Sequence, residues 1–322
     1  MLANLGIGTL AAIFLTFAVA IPRVCAQTWP QRPVKFIVPL GAGSGVDIGA
    51  RLFGDKLSQR WGQPVVIENR PGGDGVIALG IFAKAHDDHV LLAAPSSSFT
   101  AHPYLYENLP YKPSDLNPIV RISNTTVAIS VPTALGINSL EELFDLARKE
   151  PGKLNWAGVI GAIDFVFEGF LKGENIDMKK VPYRNPVEAT NDLSENRVQV
   201  YKGAFAIVRP HLQSGRIKVL AVTATSRDPA HLEIPTVAEA GFPELTFNGL
   251  VGLFGPPDMS AALRERIYND VKSVADKSIE ERLATTGQVM NIGGANEFAK
   301  SIADQRAQIA DMAKRLGVAE KK

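Results

Sequence analysis

The chain has 322 residues, 46% of them hydrophobic and 21% charged, with 34 basic side chains against 33 acidic ones. That length exceeds one ordinary domain and predicts two lobes. The near-neutral balance excludes a basic nucleic-acid-binding tract and an acidic disordered tail, and the composition is that of a globular protein.

Residues 10–21 are almost wholly apolar. A run of about a dozen is short of the ~20 that a spanning helix needs and fits the core of a signal peptide. Val24-Cys25-Ala26 offers small residues for cleavage after Ala26, which makes residues 1–26 a leader. Arg23 is the first positive side chain, so the leader's n-region is weak and an uncleaved anchor is the alternative. Cys25 raises a lipid-anchored reading, but Pro22-Arg23-Val24 before it lacks the Leu-x-small pattern. Cleavage removes the single cysteine and Arg23, leaving a chain with no net formal charge, no disulfide and no thiolate metal site. Export to an oxidising space is compatible with that.

The remaining elements come in order. Residues 34–39 form a β-rich run closed by Pro39, and a glycine-rich loop succeeds it. Ile48, Leu52, Phe53 and Leu57 then share one face of a helical period, with Ser44 or Asp47 as cap and Gly62 as stop. Strands are expected at 65–67, 89–93, 126–131, 154–157, 198–201 and 219–224. Helices are expected at 76–85, at 140–149 with Ser139 as cap and Glu142 in the capping-box position, and after the loop 158–161 through about 172. Leu263, Ile267, Val271 and Val274 form an amphipathic stripe, as do Phe298, Ile302, Ile309 and Met312. The β–loop–α–β rhythm predicts an α/β protein with a doubly wound, parallel sheet. No repeat and no low-complexity linker occurs, so the chain is expected to cross between its lobes more than once.

The loop at 39–47 is the sharpest local feature. Gly41, Gly43 and Gly45 let the backbone turn tightly, and the helix behind them offers unpaired N–H groups and a partial positive charge. A carboxylate or phosphate can be held there without a cationic side chain. No Lys comes after it, so the loop is not a Walker A sequence, and Val46 stands where a third dinucleotide-binding glycine would. A simple tight turn is the plain alternative. Ser96-Ser97-Ser98, residues 158–164 and residues 69–75 also come after strands, where open α/β sheets bind ligands.

Candidates for catalysis are poor. His86 and His89 bracket Asp87 and Asp88 between a helix and a strand, which reads as a solvated turn rather than a metal site. Ser44 lacks a G-x-S-x-G frame, and His102, His211 and His231 stand apart from acidic motifs. Asp47 and Arg51, four apart, read as a helix-face ion pair; Phe165, Phe167 and Phe170 read as core. No catalytic residue, cofactor or metal is assigned.

Several motifs together resemble the substrate-binding proteins of tripartite tricarboxylate transporters, the Bug family. They are Trp29-Pro30-Gln31-Arg32-Pro33-Val34, the loop from Val38-Pro39 to Asp47, and Gly62-Gln63-Pro64-Val65-Val66-Ile67-Glu68-Asn69-Arg70-Pro71-Gly72. Val181-Pro182-Tyr183-Arg184, Leu220-Ala221-Val222-Thr223 and Ile234-Pro235-Thr236-Val237-Ala238-Glu239-Ala240-Gly241 complete them, over essentially the whole mature chain.

The resemblance implies a two-lobe, type II Venus-flytrap periplasmic binding protein with two crossover strands. Each lobe would be a mixed, mostly parallel sheet flanked by helices, lobe 1 from 27–124 and 225–322 and lobe 2 from 125–224. It implies a ligand carboxylate held by backbone amides and water on the loop of Leu40, Gly41, Ala42, Gly43, Ser44, Gly45 and Asp47. The second-lobe loop with Gly161 and Asp164 faces it; Ser96, Ser97, Tyr183 and Arg184 match cleft positions, and Ala204 and Phe205 stand near where relatives carry an acid. The first loop departs from the family's two prolines and Gly-Gly-Ser, and Ile160, Ala162, Ile163 and Asp164 replace serines and a His. Apolar replacements suggest a ligand with a hydrophobic portion; Asp164 reads equally as a contact for a ligand amine or as a helix cap. The implied protein is a periplasmic, monomeric receptor that binds a small carboxylate and meets membrane permease subunits, with no nucleic-acid partner. A sensor protein reporting to a kinase, and an α/β hydrolase, are the rival readings.

Overall fold

The computed structural model describes residues 29–321 apart from 159, 160 and 184. The expected leader and cleavage site, and Arg184, therefore lie outside the described residues. Strand β1 (Val34–Val38) leads through the glycine loop to α1 (Gly45–Trp61). Ser44 caps this helix, its Oγ accepting from Asp47 N at 3.2 Å, and Gly62 ends it at φ 65°, a conformation glycine adopts without strain. Then come β2 (Val65–Asn69), α2 (Val76–Ala83), β3 (Val90–Pro95) and the one-turn helices α3 (Ser97–Thr100) and α4 (His102–Leu105). The long strand β4 (Asn117–Thr125) passes through Thr126 directly into β5 (Val127–Pro132).

The middle of the chain holds α5 (Leu140–Lys149), β6 (Asn155–Gly158), α6 (Ala162–Gly173), the short β7 (Lys179–Lys180) and α7 (Pro186–Ser194). It continues with β8 (Val200–Ala204), α8 (Phe205–Gln213) and β9 (Ile217–Val222). The chain then returns through 223–248 to β10 (Gly249–Gly255), α9 (Ala261–Val274), α10 (Lys277–Thr285), β11 (Gln288–Gly294) and α11 (Ala295–Leu316). At α5, Ser139 caps as expected, but the Glu142 carboxylate takes the N–H of Asn138 rather than that of the cap residue. No helix among the described residues is long and apolar enough to cross a membrane.

Two sheets result, ordered β11-β4-β10-β3-β1-β2 and β7-β6-β8-β5-β9. The parallel, doubly wound reading holds for β1, β2 and β3, and for β6, β7 and β8. It fails at β10, β11 and β5, which pair antiparallel because the chain crosses between sheets instead of winding on. Four of six strands in the first sheet and four of five in the second still run one way.

Each sheet is covered on both faces. Phe165, Phe167 and Phe170 all lie in the core between α5, α6 and the second sheet. Val237, Leu245 and Phe247 of the return segment join them there. Helix α11 serves both halves: Phe298 and Ile302 pack under the first sheet, Ile309 and Met312 against α6. Gly252 lets β10 pass beneath α11, since a Cβ there meets Val120 O and the Phe298 ring. Gly252→Ala is expected to destabilise the protein by about 2 kcal/mol in urea unfolding; an unchanged midpoint would mean that this layer yields.

Candidate functional site

The loop after β1 is organised by a buried carboxylate. Asp47, in the first turn of α1 and 2% exposed, accepts the Gly43 N–H at 2.8 Å and Asn69 Nδ2 at 2.8 Å. Arg51, one turn on, reaches it through Nε at 3.1 Å and Nη2 at 2.9 Å, the expected ion pair. Asn69 Nδ2 also donates to Leu40 O at 3.0 Å, and Arg51 Nη2 to Asn69 Oδ1 at 3.0 Å. Burial pushes the Asp47 carboxyl up, but the Arg51, Gly43 and Asn69 hydrogen bonds outweigh it and hold it below its ordinary value.

This network shapes the anion cradle that the sequence suggests. Ser44 N closes a turn onto Gly41 O at 3.2 Å, with Gly43 at φ 83°. Gly41, Ala42 and Gly43 are exposed, while Leu40, Ser44 and Gly45 are half-buried. The N–H groups of Gly41, Ala42, Gly45 and Val46 have no acceptor among the described residues. Four free donors in the loop and first turn before a helix are an arrangement that can receive an oxyanion. Asp47 is the scaffold of that cradle, its oxygens already occupied by the protein.

Other expected positions are brought in unevenly. Ser96 is fully buried, its hydroxyl donating to Gln305 Oε1 of α11 at 2.5 Å and its N–H to Leu250 O at 2.8 Å. Ser97 opens α3 half-buried, and α3 packs on α6 across the two halves. Tyr183 turns its hydroxyl to Asp192 Oδ2 at 2.6 Å; burial and that carboxylate push it up to about 12. Ala204 ends β8 half-buried. Phe205 packs inward against His231, ring centroids 4.8 Å apart, and its N–H goes to Thr126 O at 2.9 Å.

Gly161, at φ 139°, precedes α6, and Asp164 sits in that helix's first turn. The Asp164 carboxylate is ion-paired with Lys202 and has Lys180 Nζ at 2.8 Å, outside hydrogen-bond alignment. Its charge is therefore answered within the protein. Lys202 itself is fully buried, and burial pushes its ammonium well below the ordinary lysine value.

Three unanticipated residues support these elements, and one of them, Gly287, joins the halves. Gln288 donates from Nε2 to Gly45 O at 2.6 Å and accepts from Ser123 Oγ at 2.6 Å. Gly287 accepts the Thr126 N–H at 2.8 Å, and a Cβ on it would stand 3.0 Å from Ala206 Cβ. The start of α1 and the start of α8 thus meet around one turn beside the crossover. Lys202 is the third; a lone Lys in the apolar run 198–205 is its signal in the sequence.

The large cavities lie elsewhere. One of about 690 Å³ is lined by Arg32, His86 and Asp258, another of about 590 Å³ by Ser139, Lys218 and Glu239, both on outer faces. Near the first, Asp87, Asp88 and His89 cluster, but Arg32 takes Asp87 at 2.6 Å, and the His89 ring pairs with Asp88 at 2.6 Å and Gln31 N at 3.3 Å. Ser44 Oγ serves as a cap, with no histidine in its hydrogen bonds.

Comparison with known proteins agrees with this architecture. The model of the tripartite tricarboxylate transporter family receptor matches residues 49–318. A protein of the tcbD-tcbE intergenic region of Pseudomonas sp. (strain P51) is 31% identical over 306 residues, 92% of this chain and 90% of that one. R. palustris Rpa4515, solved with adipate, is 27% identical with a TM-score of 0.76, over 91% of this chain and 99% of that one. The periplasmic binding protein BugD is 25% identical with a TM-score of 0.74, over 91% of this chain and all of that one. The chain has the two-lobe fold of a periplasmic binding protein and belongs to the receptor family of tripartite tricarboxylate transporters, with Bug proteins among its relatives.

Proposed function

We propose that this receptor works in the periplasm, captures a small carboxylate-bearing solute between its lobes, and delivers it to the membrane subunits of a tripartite tricarboxylate-type transporter. The observation that carries the reading is the set of unpaired amides at Gly41, Ala42, Gly45 and Val46, fixed by buried Asp47. The adipate held by Rpa4515 supports a carboxylate as the ligand's anchoring group. The lobes in this reading are the two sheets with their helices, and 223–248 goes with the second because Val237, Leu245 and Phe247 pack in its core. Residues 161–164, Tyr183 and Ala204 form the opposing wall. Closure over the ligand excludes water and strengthens each amide contact, and ligand shifts an open–closed equilibrium. The protein acts as a monomer and performs no bond chemistry.

Thermal-shift screening of the mature chain against mono- and dicarboxylates, aliphatic and aromatic, tests this. A ligand at about a hundredfold above its Kd adds ~2.7 kcal/mol, worth several degrees. A carboxylate that raises the melting temperature while its amide or methyl ester does not is the expected result. A flat response across all acids would sink the reading.

A further inference from the structure

The second lobe holds a charge cluster directly behind its loop. Strand register places Trp156 beside Lys180 of β7 and Gly158 beside Lys202 of β8, so all four share one face of the sheet. Lys202 Nζ lies 5.0 Å from the centre of the buried Trp156 ring and Lys180 Nζ 5.1 Å from it. Both ammonium groups converge on Asp164, and Lys180 continues to Glu168 at 3.0 Å. A Cβ at Gly158 would meet Lys202 Nζ at 2.5 Å, so the ammonium occupies the space above that glycine.

Helix α6 begins without a side-chain cap: Gly161 precedes it, and Gly161 O accepts from Asp164 N at 3.0 Å and from Phe165 N at 3.4 Å. A glycine at φ 139° gives the backbone little direction of its own. A buried ion pair adds little stability over an apolar pair of the same size, but it accepts one geometry only.

We propose that the Asp164–Lys202 pair is a positioning device that fixes where α6 starts and, with it, Gly161 at the end of the second-lobe loop. Asp164 then serves the ligand indirectly, by holding the wall rather than touching the solute. The value of this to capture rests on the reading of that loop as a wall of the cleft.

The test compares wild type with the doubly apolar variant Asp164→Leu, Lys202→Met, both unliganded, by melting temperature and amide hydrogen exchange. The variant melts at or above wild type, because two buried charges are gone together. Yet the amides of residues 164 and 165 exchange at least about tenfold faster, while those of α1 do not change. Unchanged exchange at 164 and 165 in a folded variant would overturn the proposal. Should that variant precipitate, Lys202→Met, which removes the pair and leaves Asp164 beside Lys180, is compared by exchange alone, and unchanged exchange at 164 and 165 again overturns the proposal. Screening carboxylates on wild type in parallel separates the two ideas. Loosened amides without carboxylate binding would sink the receptor reading alone, and binding with unchanged amides would sink the positioning role alone.

Discussion

Asp164→Asn is expected to lose about 3–5 kcal/mol of unfolding free energy. The reason lies in what it leaves behind. Lys202 has no exposed surface, and its ammonium is surrounded by Gly158, Trp156 and the Asp164 carboxylate. Removing the counter-charge strands a cation away from water. The reverse truncation is milder: in Lys202→Met, Asp164 keeps Lys180 at 2.8 Å, and Lys180 is 36% exposed and hydrated. Urea denaturation distinguishes them, with the Asn variant well below the Met variant at equal m-value. The pH dependence gives a second check. Burial lowers the Lys202 value in the folded state below its ordinary 10.5, so the unfolded chain binds more protons between the two values. Without the carboxylate the variant's folded lysine sheds its proton at a lower pH than wild type's, so the deficit of Asp164→Asn narrows as the pH rises from the variant's folded value to that of wild type, both below 10.5. A loss under about 1 kcal/mol, with no such recovery, would mean that Lys202 is neutral in the native protein.

The elements that the sequence makes legible are those with local signals. Ser44 and Gly62 mark α1, Ser139 marks α5, and the spacing of Leu263, Ile267 and Val271 marks α9. Strand β4 lacks such a signal because its inward positions include Arg121, Ser123 and Asn124, and the partners of Arg121 and Ser123 come from β11 and α11. Strand β10 is nearly half glycine, a composition that reads as a loop, yet each glycine permits a close approach by Thr125, Phe298 or Met259. The same division holds at the site. The glycine loop and its helix are legible because cap and turn chemistry is local. The tasks of Asp47, Ser96 and Asp164 are not, because each is decided by a partner far along the chain: Asn69, Gln305 and Lys202. A residue type announces that a carboxylate or hydroxyl is present; only the fold says whether the protein has already answered it.

Asp47 is a carboxylate of the answered kind, and its removal is the second large effect expected. Asp47→Ala leaves the Gly43 N–H without its acceptor, leaves Asn69 Nδ2 only Leu40 O, and loosens the loop from α1. Two or three hydrogen bonds to a buried carboxylate are worth about 3 kcal/mol of stability. Capture of the carboxylate that most raises the wild-type melting temperature should weaken by at least about tenfold, or 1.4 kcal/mol, because the four amides lose their fixed arrangement. Arg51→Met is the control. Its guanidinium is 48% exposed, so the pair contributes under about 1 kcal/mol, while Gly43 and Asn69 keep their acceptor and affinity stays within about twofold. The sign of the pH effect comes from the lowered Asp47 value. Its contribution is complete above the ordinary 3.8 and is lost only as the pH falls below that through the folded value. Affinity should therefore be insensitive to this group near neutrality and should fail only in strong acid. Isothermal titration across pH, run on wild type and both variants, reads all of this. Equal affinity in Asp47→Ala and wild type would place the anion on some surface other than the amides that Asp47 arranges.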